Sequence, residues 1–377
     1  MSKPPRFRLS QNTLGWLIMT VLVGFLGWVE MTTPGGVDFA DLTAGMVTLD
    51  TMVRVAILTI VLVGLNLLMG YAGQVSLGHA AFYGLGAYAS AILTVRAGSL
   101  LGIPGDIIKS WWWPWLVMLV GMVISGGLAY IVGRPILRLR GHYLAMATLG
   151  LGIMIFILFR ENLGFQGQHI TGSFDGIPGI PRLWVGSFEI WPISRFYFFA
   201  WAIALGVIAF GLNLINSRTG RALRAIRASE VAAQATGVDV ASYKAQIFTV
   251  SAVLASLAGS IYAHFQATVS PGPFGFVGSL ELVVMSSVGG LSSIWGAPFG
   301  VAVILVVKEI LRSRLRLLLS GASGEHEIIF YGLILILIMI FMPEGITVGV
   351  VRRWRAWRER RRVKTPLPVG SPTGGGD

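Results

Sequence analysis

Long apolar runs recur along almost the whole sequence, and they limit the fold more than any other feature. A helix that crosses the hydrocarbon core of a bilayer needs about 20 consecutive, mostly apolar residues. About ten stretches meet this requirement, and they lie near residues 14–32, 51–70, 79–96, 112–133, 142–160, 196–216, 244–267, 279–291, 295–311 and 327–342. The short alternating segments that are typical of a membrane β-barrel are absent from the sequence. The sequence therefore predicts an all-α polytopic membrane protein with about ten transmembrane helices.

The composition agrees with a membrane protein and excludes several kinds of site. Hydrophobic residues make up 54% of the 377 residues and charged residues only 12%, a balance that does not suit a soluble domain. The chain has no cysteine, which excludes a disulfide framework, a thiol nucleophile and a cysteine-based metal site. Basic residues precede the first apolar run, and no small-x-small cleavage site follows it directly. We therefore expect an uncleaved signal-anchor helix after a basic cytoplasmic N-terminus, residues 1–13.

The net charge of +12 is concentrated beside the apolar runs rather than in a separate domain. Arginines cluster in the loops 134–141 and 217–243, and in the basic, otherwise disordered tail 347–377. Positive charge in these places marks the cytoplasmic side and attracts anionic lipid. We therefore expect both termini in the cytoplasm, and we do not expect the chain to bind nucleic acid. One predicted external loop, 312–326, carries three arginines and disagrees with this topology. The expected external loops without basic clusters are 33–50, 161–195 and 268–278.

Two glycine-rich segments, 70–84 and 286–300, interrupt the apolar pattern. Irregular backbone is tolerated at membrane depth only where it is buried in protein or lines a watery cavity, so each segment predicts a broken or re-entrant helix near a transport path. The sequence SLGHAAF at 76–82 matches SIWGAPF at 293–299 at four positions, which favours an internal repeat. The alternative is that small residues only allow close helix packing. The residues expected beside the path are Gly73, Gln74, Ser76, His79, Glu281, Ser287 and Gly290.

Few side chains in the apolar runs could carry chemistry. Ionisable residues are sparse there, and no His, Asp or Glu set has the spacing of a metal site. Hydrolase motifs and the phosphate-binding GxxxxGK[ST] motif are also absent. We therefore predict a transporter subunit rather than an enzyme, with no metal or cofactor of its own and with its energy supplied by a partner.

The most informative polar stretch is residues 216–248. Arg221, Arg224 and Arg227 recur every three residues between apolar side chains, a pattern that predicts a short amphipathic helix with a basic face. Ser229 then precedes a second small-residue helix that is expected to end at Gly237. Two short helices joined by a turn would form a rigid surface for a partner; a loop held to lipid headgroups by its arginines is the alternative.

The residues 220–248, GRALRAIRASEVAAQATGVDVASYKAQIF, resemble the cytoplasmic coupling region of ABC-importer permeases. Their EVAAQATG is similar to the signature Glu-Ala-Ala, three residues, Gly, with one residue inserted after Glu230. More narrowly, the chain resembles the LivM-type permease subunits of branched-chain amino-acid ABC importers over about residues 50–346. The other stretches that carry this resemblance are 70–93, 171–181, 279–300 and 331–346.

The resemblance implies a subunit of a larger assembly in the bacterial inner membrane. Such a permease pairs with a second permease subunit, expected as a heterodimer, while two cytoplasmic ATPases bind ATP and an extracytoplasmic binding protein delivers the solute. Residues 14–346 would form the permease domain, and the loop 161–195 would face the binding protein. The coupling region 217–243 would dock the ATPase. Its expected residues are Arg221, Arg224, Arg227, Glu230, Ala232, Ala233 and Gly237.

Other functions remain open at this stage. An importer of the same class could carry urea, amides or aromatic acids, because the binding protein sets much of the selectivity. An ion-coupled secondary transporter would need no ATPase, but it would be expected to hold more carboxylates within the membrane. A membrane enzyme has no visible catalytic set.

Overall fold

The structure is a computed structural model that describes residues 11–32, 48–139, 141–161, 164–165, 168–186, 188–318 and 332–333. Four predicted segments lie wholly or almost wholly outside the described residues. They are the basic N-terminus 1–13, the loop 33–50, the last predicted span 327–342 and the tail 347–377.

Helices dominate the described part of the chain. They are α1 (Gln11–Thr32), α2 (Leu49–Leu65), α3 (His79–Ala91), α4 (Ala97–Leu101), α5 (Gly105–Ile108), α6 (Trp113–Ile136), α7 (His142–Arg160), α8 (Ile193–Asn216), α9 (Arg218–Ala228), α10 (Glu230–Ala235), α11 (Val240–Gln266), α12 (Phe276–Gly289) and α13 (Gly296–Leu318). Two π-helical turns, Asn66–Tyr71 and Ile92–Arg96, extend α2 and α3. Short 3₁₀ turns lie at Ser173–Asp175 and Gly272–Phe274.

Within the described residues, six helical segments are long and apolar enough to cross a membrane, which supports a polytopic helical membrane protein. They are Leu49–Tyr71, His79–Leu101, Trp113–Ile136, His142–Arg160, Ile193–Asn216 and Val240–Gln266. Each corresponds to one of the ten predicted spans, but the count of ten is not confirmed. The predicted span 279–291 falls on α12, whose 14 residues extend about 21 Å and do not reach across a core of about 30 Å.

The central helix of the bundle is α11, which packs against α2, α3 and α6. Small residues allow α3 and α11 to approach very closely. A Cβ atom on Gly86 would lie 1.9 Å from the Ser256 carbonyl oxygen, and one on Gly259 would lie 1.9 Å from the carbonyl oxygen of Tyr83. Glycine is therefore required at both places, as expected where helices associate without a hydrophobic driving force.

Three two-stranded antiparallel pairs lie among the connections: β1 (Gly164–Phe165) with β2 (Gln168–His169), β3 (Ile177–Pro178) with β6 (Thr268–Val269), and β4 (Trp184–Val185) with β5 (Phe188–Glu189). The pairing of β3 with β6 fixes the long loop 161–195 to the end of α11. His264 Nδ1 lies 2.7 Å from the Pro181 carbonyl oxygen and strengthens this attachment. The loop motif at 171–181 is thus held close to the bundle.

Candidate coupling and translocation site

The first glycine-rich segment forms a break between α2 and α3. The π-helical turn ends at Tyr71, the chain is not helical from Ala72 to Gly78, and α3 begins at His79. Gly78 packs against Thr148 in the first half of α7, where a Cβ would lie 2.0 Å from the Thr148 carbonyl oxygen. His79 Nε2 lies 2.9 Å from the Ser251 hydroxyl, near the middle of α11. The non-helical chain therefore reaches well into the bundle.

Side chains in this break alternate between two environments, as in an extended strand. Gln74 and Ser76 are buried, whereas Gly73 and Val75 are exposed. Within the described part of the chain, the Gln74 amide atoms and the Ser76 hydroxyl have no hydrogen-bond partner. Where such irregular backbone lies at membrane depth, its exposed side must meet protein or water, because lipid cannot satisfy its hydrogen bonds.

The second glycine-rich segment forms a similar break between α12 and α13. Helix α12 ends at Gly289, and Gly290 follows with φ +101°, a conformation that favours glycine. Helix α13 begins at Gly296, the same position in the matched seven-residue motif at which α3 begins. This local likeness is real, but an internal repeat of the whole chain is not confirmed.

The two breaks contact each other, and we call residues 66–71 together with residues 290–293 the junction. Gly70 lies so close to Leu291 that a Cβ would be 1.8 Å from its carbonyl oxygen. The Asn66 amide donates to the Ser293 carbonyl oxygen at 2.9 Å, and the Tyr71 hydroxyl donates to the Ser292 carbonyl oxygen at 2.9 Å. Since the hydrogen bonds join backbone to side chain across the breaks, neither segment can shift without disturbing the other.

Helix α9 is the predicted basic amphipathic helix, and its arginines do not all point the same way. Arg227 donates to the Gly70 carbonyl oxygen and, at 3.1 Å, to the Ser292 hydroxyl, so it contacts both sides of the junction. Arg224 donates to the Ile215 carbonyl oxygen at the end of α8. All three arginines are exposed, but within the described residues Arg221 makes no side-chain hydrogen bond to the bundle.

Helix α10 follows at once and is fixed by its own contacts. The Ser229 hydroxyl caps it by accepting from the Ala232 amide at 3.3 Å. Glu230 forms an ion pair with Lys244 of α11, whose side chain is only 6% exposed. Ala233 is buried, whereas Ala232 is exposed. After α10, Gly237 adopts φ +84° and turns the chain into α11.

A surface groove of about 540 Å³ lies beside α10, between the end of α6 and the start of α11. Charged residues of both signs line it: Arg134, Arg138, Glu230, Asp239 and Lys244. The apolar Val231 beside it is 69% exposed. This mixture of charge, groove and exposed apolar side chain suits a protein partner better than a lipid surface.

The sequence-predicted path residues fall into separate places. Gly73, Gln74, Ser76 and His79 lie in or directly after the first break, and Gly290 lies in the second. Ser287 donates to the Val283 carbonyl oxygen within α12. Glu281 lies elsewhere: it pairs with Lys308 of α13 and lines a separate cavity.

Sequence reasoning missed three polar residues of the junction and one of the coupling region. They are Asn66, Ser292, Ser293 and Lys244. An asparagine and a lysine inside apolar helices were visible signals, because such residues are costly at membrane depth unless they are paired. In the part of the chain that the structure describes, no group of three or more His, Asp or Glu side chains could hold a metal ion.

Comparisons with known proteins point to one family. A family model described as the permease component of branched-chain amino acid transport systems matches residues 47–342. The high-affinity branched-chain amino acid permease protein LivM of Salmonella typhimurium is 29% identical, over 87% of this chain and 74% of that protein. The probable LivM of Methanocaldococcus jannaschii is 25% identical, over 76% of this chain and 89% of that protein.

A sugar transporter is also among the relatives. The ribose import permease protein RbsC of Haemophilus influenzae is 24% identical, over 89% of this chain and 93% of that protein. No solved structure matches the chain.

Proposed function

Because the chain belongs to the family of permease components of branched-chain amino acid transport systems, we propose that it is the permease subunit of an ABC importer for branched-chain amino acids. The relatives named LivM support this solute class. The six apolar helices support a multi-pass membrane subunit, and we place it in the bacterial inner membrane with both termini in the cytoplasm.

The structural observation that carries the coupling part of this proposal is the contact of Arg227 with both sides of the junction. In our account, α9 and α10 form the cytoplasmic surface on which an ATPase subunit docks. Arg224 joins this surface to α8, and the Glu230–Lys244 pair joins it to α11. Because of these contacts, a displacement of α9 would be transmitted to α8 and α11. A flexible loop without such contacts would not transmit it.

The junction would convert that displacement into a change at the transport path. Gly70 and Ser292 belong to different breaks, yet both bond to the same guanidinium. A shift of α9 would therefore move the two breaks together. The exposed side of Gly73 and Val75 would then face the second permease subunit or the water-filled path between the two subunits, since it cannot face lipid. Gln74, Ser76 and His79 would support that path from within.

The remaining partners follow from the same assembly. Two ATPase subunits would bind and hydrolyse ATP, so this chain would need no cofactor. An extracytoplasmic binding protein would dock on the loop 161–195. Arginine side chains there lie over aromatic rings, with Arg182 above Trp191 at 4.2 Å and Arg195 above Phe188 at 4.3 Å. These pairs give the loop an ordered, partly charged surface.

The experiment that tests this function is uptake of labelled leucine by cells that lack the gene and by the same cells complemented with it. We expect leucine uptake to fall on deletion, to return on complementation and to stop when ATP is depleted. Urea and benzoate uptake serve as parallel controls for the other solutes of this transporter class. Loss of urea or benzoate uptake with leucine uptake intact would reject the amino-acid assignment. Uptake that survives ATP depletion but follows the proton gradient would reject the ABC assignment.

A further inference from the structure

A second cavity, of about 270 Å³, lies between α2, α12 and α13 and is separate from the junction. Its volume is just below the ~300 Å³ at which typical small-molecule sites begin, so it suits a small solute rather than a large cofactor. Both α2 and α12 also lead to the junction, through Asn66 and Ser286, whose hydroxyl donates to the Asn66 amide oxygen. A movement of the junction would thus move two walls of the cavity.

The charged lining of this cavity has an unusual arrangement for a membrane-embedded site. Glu281 of α12 forms an ion pair with Lys308 of α13, and Arg54 of α2 also lines the space. The Glu281 and Lys308 side chains retain 23% and 34% exposure, so a solute in the cavity can reach both charges. Arg54 is already bonded to Asp50, at 2.6 Å. One anionic and one cationic group therefore face the cavity as a matched pair.

A zwitterion is the solute that fits such a pair with the smallest electrostatic cost. Its ammonium can pair with Glu281 while its carboxylate pairs with Lys308, so every charge keeps a partner of opposite sign. A simple anion or cation would draw one of the two residues out of the Glu281–Lys308 pair and offer no charge to the other, which is costly in a low-dielectric site. A neutral sugar or urea would leave the Glu281–Lys308 pair intact and gain no charge pairing from it.

The rest of the lining selects the side chain of the solute. Ile57, Leu282, Met285 and Leu305 form an apolar wall next to the charged pair. Apolar pockets with a few placed polar groups are the usual form of a small-molecule site, in which the polar groups fix the orientation. A branched aliphatic side chain would bury its surface on this wall while the charged end reaches Glu281 and Lys308.

We propose that the cavity between α2, α12 and α13 is a solute-binding site of the permease itself, which takes a zwitterionic amino acid with an aliphatic side chain through Glu281 and Lys308. The proposal rests on the proposed function and deepens it, because it places solute recognition in this chain as well as in the binding protein.

The test is photochemical labelling of the purified chain with its partner subunits, without the binding protein. The probe is a leucine analogue that carries a diazirine in its side chain, and mass spectrometry identifies the labelled peptides. We expect label on the peptides that contain Met285 or Leu305. Leucine should compete with the label. Two analogues that each lack one charge, 4-methylpentanoate and 3-methylbutylamine, should compete poorly.

Variants of the charged pair give the decisive comparison. Glu281→Gln should lower the labelling about tenfold, because one charge of the solute loses its partner. Glu309→Gln makes the same chemical change one residue from Lys308, outside the cavity lining, and should keep labelling within about twofold of wild type. The double variant Glu281→Lys/Lys308→Glu restores a pair with the charges reversed, and it should retain more label than Glu281→Gln.

Three results would overturn the proposal: no label on these peptides in wild type, equal labelling of the two glutamine variants, or equal competition by 4-methylpentanoate and leucine. These failures are distinguishable from failure of the proposed function. If gene deletion abolishes leucine uptake but the cavity is not labelled, the importer assignment stands and the cavity is rejected. If the cavity is labelled as expected but leucine uptake is unchanged by deletion, the importer assignment is rejected.

Discussion

The guanidinium of Arg227 donates to the Gly70 carbonyl oxygen on one side of the junction and to the Ser292 hydroxyl on the other. A single residue of α9 therefore contacts both sides. The spacing of the arginines in the sequence predicted the helix correctly. It did not indicate that Arg224 and Arg227 bond to the bundle. The spacing predicts which face of the helix is polar, but it does not reveal which carbonyl groups of other elements lie next to that face. Contact of these arginines with an ATPase therefore stays a prediction, whereas their contacts within the chain are observed.

The Glu230–Lys244 pair gives a prediction about stability. Glu230→Gln would leave the buried Lys244 ammonium without its anionic partner. We expect a loss of about 1–3 kcal/mol in the free energy of unfolding, below the ~3–5 kcal/mol of a fully buried pair because one third of the Glu230 side chain is exposed. Thermal unfolding of the purified chain in detergent, followed by its intrinsic tryptophan fluorescence, would measure the change.

The matched variant is Lys244→Met, which removes the buried charge itself. Because the methionine can pack where the lysine stem lay, and the remaining carboxylate is partly exposed, this variant should lose less stability than Glu230→Gln. Equal losses in the two variants would show that burial of Lys244 does not determine the energetics of the pair.

At the scale of elements, the close approach of α3 and α11 depends on glycine. Gly86→Ala would place a Cβ 1.9 Å from the Ser256 carbonyl oxygen, so one of the helices would have to shift. Overpacking of this kind costs about 1–3 kcal/mol, and we expect a lower unfolding temperature and a lower yield of folded protein. Fluorescence-detected size-exclusion chromatography after heating would measure both.

Gly206→Ala in α8 is the control for this prediction. Within the described residues, nothing beyond its own stretch of helix lies within 4 Å of the added Cβ, and alanine is the better helix former, so the variant should be as stable as wild type or more stable. If Gly86→Ala behaved like Gly206→Ala, the contact between α3 and α11 would be looser than the structure indicates.

Several elements could be predicted from the sequence for clear physical reasons. The six long apolar helices were predicted because hydrophobic length is a local property that tertiary contacts do not alter. The break after Tyr71 was predicted because glycine and polar residues interrupt the apolar pattern that a membrane-spanning helix requires. The end of α12 lies close to the predicted end at 291, but the sequence predicted a full span, whereas the 14 residues of α12 are too short to cross the bilayer core.

For the whole molecule, the contact between the two breaks was beyond sequence reasoning. Asn66 and Ser293 are 227 residues apart in the chain, and their hydrogen bond depends on how the helices assemble. The position of Glu281 away from the junction follows from the same assembly, because its partner Lys308 lies on α13. From the sequence, Glu281 was a functional candidate because an ionisable residue is costly within an apolar run, but its partner could not be identified.

Coupling is likewise a property of the complete importer, and we propose that it depends on Arg227. The measurement that tests it most directly is the number of leucine molecules transported per ATP hydrolysed, in proteoliposomes that contain the chain with its partner subunits. Arg227→Met should keep ATP hydrolysis that the loaded binding protein stimulates, but lower leucine transported per ATP about tenfold, since two bonds from a charged donor are lost. Arg96→Met, outside the junction, should stay within about twofold of wild type. An unchanged ratio in Arg227→Met would contradict the account.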